Sequence, residues 1–127
     1  MEAPPLGMTL LVSGVMLAAT FSVYYVVSLA AEAKLGRNGG AGIRLSPLLR
    51  SEEAWQVGHR AALAVAKWQC VGVATLTVLT LLVSPFPWLY IGGLSVSVTA
   101  ILVSIVLCVV RAVRAANTVG PKTSPSR

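Results

Sequence analysis

Aspartate is missing from this chain, and glutamate occurs four times, as Glu2, Glu32, Glu52 and Glu53. One histidine and two cysteines complete a short supply of reactive groups. Together these shortages exclude most enzymatic schemes. No Ser/His/Asp set can be assembled, no two carboxylates share a buried segment, and no phosphate loop is present. The single histidine, His59, has no nucleophile beside it, and Cys70 lies eleven residues further on, inside an apolar run. A structural zinc site takes about four ligands, which two cysteines without a CxxC spacing do not supply. The chain is therefore expected to be no enzyme and to use no metal and no cofactor. Proton-coupled carriers of the small multidrug type need a carboxylate inside the membrane, and the apolar runs hold none.

What the chain has in abundance is apolar surface. Of its 127 residues, 56% are hydrophobic and 11% charged, with a mean hydropathy of +0.80. A soluble domain this short could not hide that much apolar area. Hydrocarbon is the solvent that fits. The net charge of +6 flanks the apolar runs, so it reads as an orientation signal in a membrane rather than a nucleic-acid surface.

Three apolar runs are each long enough to cross a hydrocarbon core of roughly 30 Å. The first, residues 6–31, carries no charge and has no basic region ahead of it, so it reads as a span rather than a removable leader. Gly14, Ala18 and Ser22 form a small stripe on it, and Gly36 is the expected helix stop. The second span is expected at residues 61–83, closed by Ser84-Pro85-Phe86-Pro87. The third occupies 88–110, with Trp88 and Tyr90 at its interface. Ser95, Ser97, Thr99 and Ser104 can bond back to their own helix there. Residues 111–127 read as a disordered basic tail. The fold class is thus all-α, an integral membrane protein of three transmembrane helices forming a single membrane domain.

Most of the polar groups sit in the loop 32–60. Its Gly-rich start cannot hold a helix. Ser51 is a good N-cap, with Glu52 and Glu53 in the first helical turn. No breaker follows until Pro85, so one helix should run from Ser51 to Val83, about 50 Å at 1.5 Å per residue. That exceeds the membrane, so an amphipathic segment should extend the second span into the cytoplasm. Glu52, Trp55, Gln56 and His59 share one side of it. Arg60 and Lys67 share another with Glu53. Lys67 can snorkel to the headgroups. Gly58, Ala62, Ala66, Cys70 and Ala74 form a ridge of small residues for helix packing. Arg44 could pair with Glu52 or Glu53. Trp55 suits the headgroup level, and His59 and Arg60 could meet a lipid phosphate or a partner's acidic group.

Asn38, then Gly42-Ile43-Arg44, then Ser51-Glu52, Trp55 and His59-Arg60, leading into a membrane helix, resemble the signature of the SdpI family. Leu45 stands where that family has Thr. The resemblance runs from Asn38 to Val110. It implies a small bacterial membrane protein of the immunity or signalling type, which protects against a secreted toxic peptide or holds a regulator at the membrane. The candidate partner-binding residues are then Arg44, Glu52, Trp55, His59 and Arg60. The alternative is a small structural or assembly subunit of a larger membrane complex, docked through the Gly58–Ala74 ridge. Oligomers are compatible with either.

Every Lys and Arg lies in 34–67 or 111–127, two spans apart and hence on one side. The positive-inside rule then puts the N-terminus outside and the C-terminus in the cytoplasm of a bacterial cell membrane.

Overall fold

The computed structural model describes residues 1–120. Among these, helices are the sole regular structure: α1 (Leu6–Ala31), the short α2 (Ser46–Leu49), α3 (Glu52–Leu82) and α4 (Pro87–Asn117). The three long helices are each apolar and long enough to cross a membrane.

Their ends follow from local chemistry. Thr9 backs onto the carbonyl of Pro5 where α1 begins. The helix stops earlier than Gly36. Glu32 is its C-cap and Ala33 takes the left-handed conformation, φ 63°. The N–H groups of Ala33 and Lys34 return to the carbonyls of Ala30 and Leu29, the double closure of a Schellman turn. Ser51 caps α3 by accepting the Ala54 N–H at 3.0 Å. Pro87 is the first residue of α4, where its missing N–H leaves no bond unmade.

Helix α4 does not end at 110. It continues through Arg111–Asn117, so that part of the expected disordered tail is ordered; residues 121–127 of that tail lie outside the described residues. Ala, Arg and Val there sustain a helix. Ala112 and Ala116 are fully buried, and Arg50 donates to the carbonyl of Ala116 at 3.0 Å.

Helix α3 is the central element, packed against α1 on one side and α4 on the other, while α2 wedges against α3 and α4. The larger core lies at the loop end, built from Val27, Ala30, Leu48, Trp55, Ala62, Cys108 and Ala112 among others. Toward the Pro85 turn the buried residues are small and hydroxylated. Thr77, Thr80 and Ser97 satisfy themselves on the carbonyls of Val73, Leu76 and Gly93 at 2.7–2.9 Å. Large apolar side chains point outward instead, as a lipid-facing surface requires. Trp88 is exposed at that end, whereas Tyr90, read as its belt companion, is buried.

The small ridge is buried at Gly58, Ala62 and Ala66, but Cys70 and Ala74 are half-buried. A step of four residues overshoots a turn by about 40°. The covered line therefore leaves the ridge and continues through Gln69, Val73, Thr77 and Thr80. The stripe Gly14, Ala18 and Ser22 faces outward. Both cysteines are free; Cys108 lies against the carbonyl of Ala62 at 3.7 Å.

Candidate functional site

The loop between α1 and α3 is folded back onto the first turns of α3. The Schellman turn starts this reversal by sending Leu35 toward Trp55. The indole Nε1–H of Trp55 donates to the carbonyl of Leu35 at 2.8 Å. One turn further along α3, His59 makes two bonds. Its Nδ1 faces the carbonyl of Trp55 at 2.8 Å, and its Nε2 faces the backbone N–H of Ile43 at 3.0 Å. A carbonyl can only accept and an amide can only donate, so the ring is neutral with its proton on Nδ1. The Trp55 and His59 rings lie 4.2 Å apart, and both side chains are fully buried.

Gly42 makes this approach possible. Its φ is +107°, and a Cβ there would lie 2.7 Å from the Trp55 ring and 3.0 Å from His59 Nε2. The Gly42-Ile43 step thus has a steric reason: glycine to pass the rings, and the next amide to meet the imidazole.

The charged residues are arranged differently from expectation. Arg44 pairs with neither Glu52 nor Glu53. It donates to the carbonyls of Arg37, at 3.2 Å, and Gly39. The partner of Glu52 is Arg37, whose Nε lies 3.4 Å from Glu52 Oε1 while its Nη1 donates to the carbonyl of Leu49 at 2.8 Å. Arg37 was not singled out in the sequence. Its signal is indirect: once Ala33 reverses the chain, residue 37 falls over the α3 N-terminus. Arg60 is exposed and its Nε donates to the carbonyl of Ala31, the end of α1, at 3.2 Å. Four side chains of α3 and the loop therefore satisfy carbonyls that α1 and the loop leave open.

Trp55 and His59 are thus both covered by protein. Both face the protein interior, where neither can touch a partner directly. Arg44, Glu52 and Arg60 remain exposed. Beneath the loop, Ala41, Gly42 and Ile43 roof an apolar cleft of about 370 Å³ between α1 and α4, whose walls include Val23, Val27 and Ile105.

Residues 34–113 match the SdpI/YfhL protein family. The chain belongs to the SdpI family. The matched segment opens at Lys34, within the Schellman turn, and ends near the close of α4. It contains the loop clasp and the α2–α3–α4 unit, and leaves α1 outside. No curated protein and no solved structure matches the chain. Within the matched segment, Gly42, Ile43, Trp55 and His59 form one hydrogen-bonded and sterically fitted unit.

Proposed function

We propose that this SdpI-family membrane protein is a non-enzymatic immunity or signalling factor of the bacterial cell membrane. It takes hold of a toxic peptide, or of a peptide segment of a cytoplasmic regulator, at the clasped 38–60 loop. The observation that carries this reading is the apolar cleft roofed by Gly42 and Ile43, held in shape by Trp55 and His59 and rimmed by polar loop backbone. A preorganised apolar slot in a loop that also exposes cationic side chains suits an amphipathic segment, because the loop entropy is already spent before binding. Arg44 and Arg60 are the exposed cations of the loop and of the α3 start, and Glu52 holds Arg37 in place. The charge distribution favours an outside N-terminus and a cytoplasmic loop and C-terminus.

The assembly-subunit alternative is less favoured, because α4 of the same chain lies against Gly58 and Ala62. The test is survival of a susceptible bacterium challenged with a secreted toxic peptide of the membrane-active kind. Expression of the chain should raise survival, and Val26→Trp, which fills the cleft, should remove that gain while the protein still inserts. Equal protection by the cleft-filled variant sinks the proposal, as does the absence of any protection.

A further inference from the structure

Gln69 is 5% exposed, and neither its amide nitrogen nor its amide oxygen has a hydrogen-bond partner among the described residues. An unpaired primary amide within an apolar span is disfavoured, so Gln69 calls for a hydrogen-bond partner beyond the described residues. Its neighbours say what would bind. Gln69 lines a groove of about 460 Å³ between α3 and α4, on the lipid-facing surface and separate from the cleft under the loop. Arg111 stands at one end of this groove. It forms no ion pair among the described residues, where the paired cations are Lys34 and Arg37. Trp68, 73% exposed, and Ser104 line the same groove further in. Beyond Gln69 the walls turn apolar, with Val73 and Leu76.

From the helix ends inward, the groove therefore offers a guanidinium, a short apolar wall of Leu107, Ala64 and Val65, then an indole, an amide and a hydroxyl, with hydrocarbon beyond. A cation outermost, hydrogen-bonding groups at mid-depth and hydrocarbon innermost suit a glycerophospholipid whose phosphate meets the cation and whose ester linkages and acyl chain lie deeper. We infer that this groove is a site for one anionic phospholipid. Its phosphate is held by Arg111, an ester carbonyl accepts from the Gln69 amide, and an acyl chain lies along Val73 and Leu76. Arginine suits this because its fork matches phosphate oxygens, and among the described residues no carboxylate competes for it. Gly72 and Ala100 contribute little side-chain bulk, which leaves room for the chain.

The test is native mass spectrometry of the full chain in mild detergent, titrated with phosphatidylglycerol or phosphatidylcholine of identical acyl composition. The expected result is a one-lipid adduct with roughly tenfold or greater preference for phosphatidylglycerol, the scale of a hydrogen bond to a charged group. Arg111→Gln should erase the preference, whereas Arg114→Gln, off the groove, should keep it. Gln69→Leu should weaken the adduct yet leave the lipid-free protein as heat-stable as wild type or more so, because an orphan amide is removed. A residue that merely supported the fold would lower both. Arg111 is exposed, so Arg111→Gln reads the site even where Gln69→Leu fails to insert. Equal retention of both lipids overturns the inference, as does equal loss with Arg111→Gln and Arg114→Gln. Inorganic phosphate alone competing fully would make this a phosphate site, and a Gln69-dependent dimer without lipid would make it a helix-docking face; either result overturns it.

Discussion

The imidazole Nε2 of His59 accepts the backbone N–H of Ile43 at 3.0 Å, across sixteen residues of sequence. This bond ties the loop to α3 and fixes the ring as a neutral acceptor. Replacing His59 by Ala should orphan the Ile43 amide, a loss of about 1–3 kcal/mol. Hydrogen exchange at Ile43 should then accelerate by roughly 5- to 150-fold in detergent micelles, with the mid-span amides of α4 unchanged. Unchanged exchange at Ile43 would mean that the loop is held by other contacts.

Two contacts of the clasp differ in burial, and so in weight. The Trp55 indole donates to Leu35 from a fully buried position, while in the Arg37–Glu52 pair Arg37 is half-buried and Glu52 exposed. Trp55→Phe loses the hydrogen bond and one ring of the buried indole, so it should destabilise by about 1–3 kcal/mol. Glu52→Gln should change stability by less than about 1 kcal/mol, because solvent screens the pair. Thermal melts followed by near-UV circular dichroism rank the two. The reverse order would show that the ion pair, not the indole, anchors the loop.

Neighbouring glycines in the loop give a sharper contrast. Gly42 has φ +107° and a hypothetical Cβ 2.7 Å from Trp55, while a Cβ on Gly40 meets nothing within 4 Å. Gly42→Ala combines a disfavoured backbone with a clash, of order 1–3 kcal/mol before any relaxation. Gly40→Ala should be near neutral. Limited trypsin digestion provides the assay, since Arg37 and Arg44 flank the strained point. Cleavage there should speed up for Gly42→Ala and stay at the wild-type rate for Gly40→Ala.

Much of this fold could be read from residue order. Uncharged runs bounded by prolines and cations mark three spans, and Ser51 with its two following glutamates marks the start of α3. Spacing also put Trp55 and His59 on one face of α3. It could not say whether that face meets lipid, water or protein, because an aromatic beside a histidine is compatible with all three. That outcome depended on Ala33 taking a positive φ, which propensity does not announce. The same turn decides that Arg37 rather than Arg44 meets Glu52. The end of α4 was missed because Arg111 and Arg114 look like the flanks of a span, although their neighbours are good helix formers with a face to bury under Leu48.

Two small-residue stripes remain to be separated by experiment. On α3, a Cβ at Gly58 would lie 2.8 Å from the Leu48 side chain and 3.1 Å from the carbonyl oxygen of Ala112. Leucine can turn aside but the α4 backbone cannot do so cheaply, so Gly58→Val should destabilise by about 1–3 kcal/mol, in the manner of other overpacked sites. On α1, Gly14 meets nothing within 4 Å, so Gly14→Val should stay within about 0.5 kcal/mol. Fluorescence-detected size exclusion after graded heating measures both. Should Gly14→Val prove the damaging change, the outward stripe Gly14, Ala18 and Ser22 must pack against a second helix from outside the chain. The functional unit would then be an oligomer built through α1, the one long helix outside the family match.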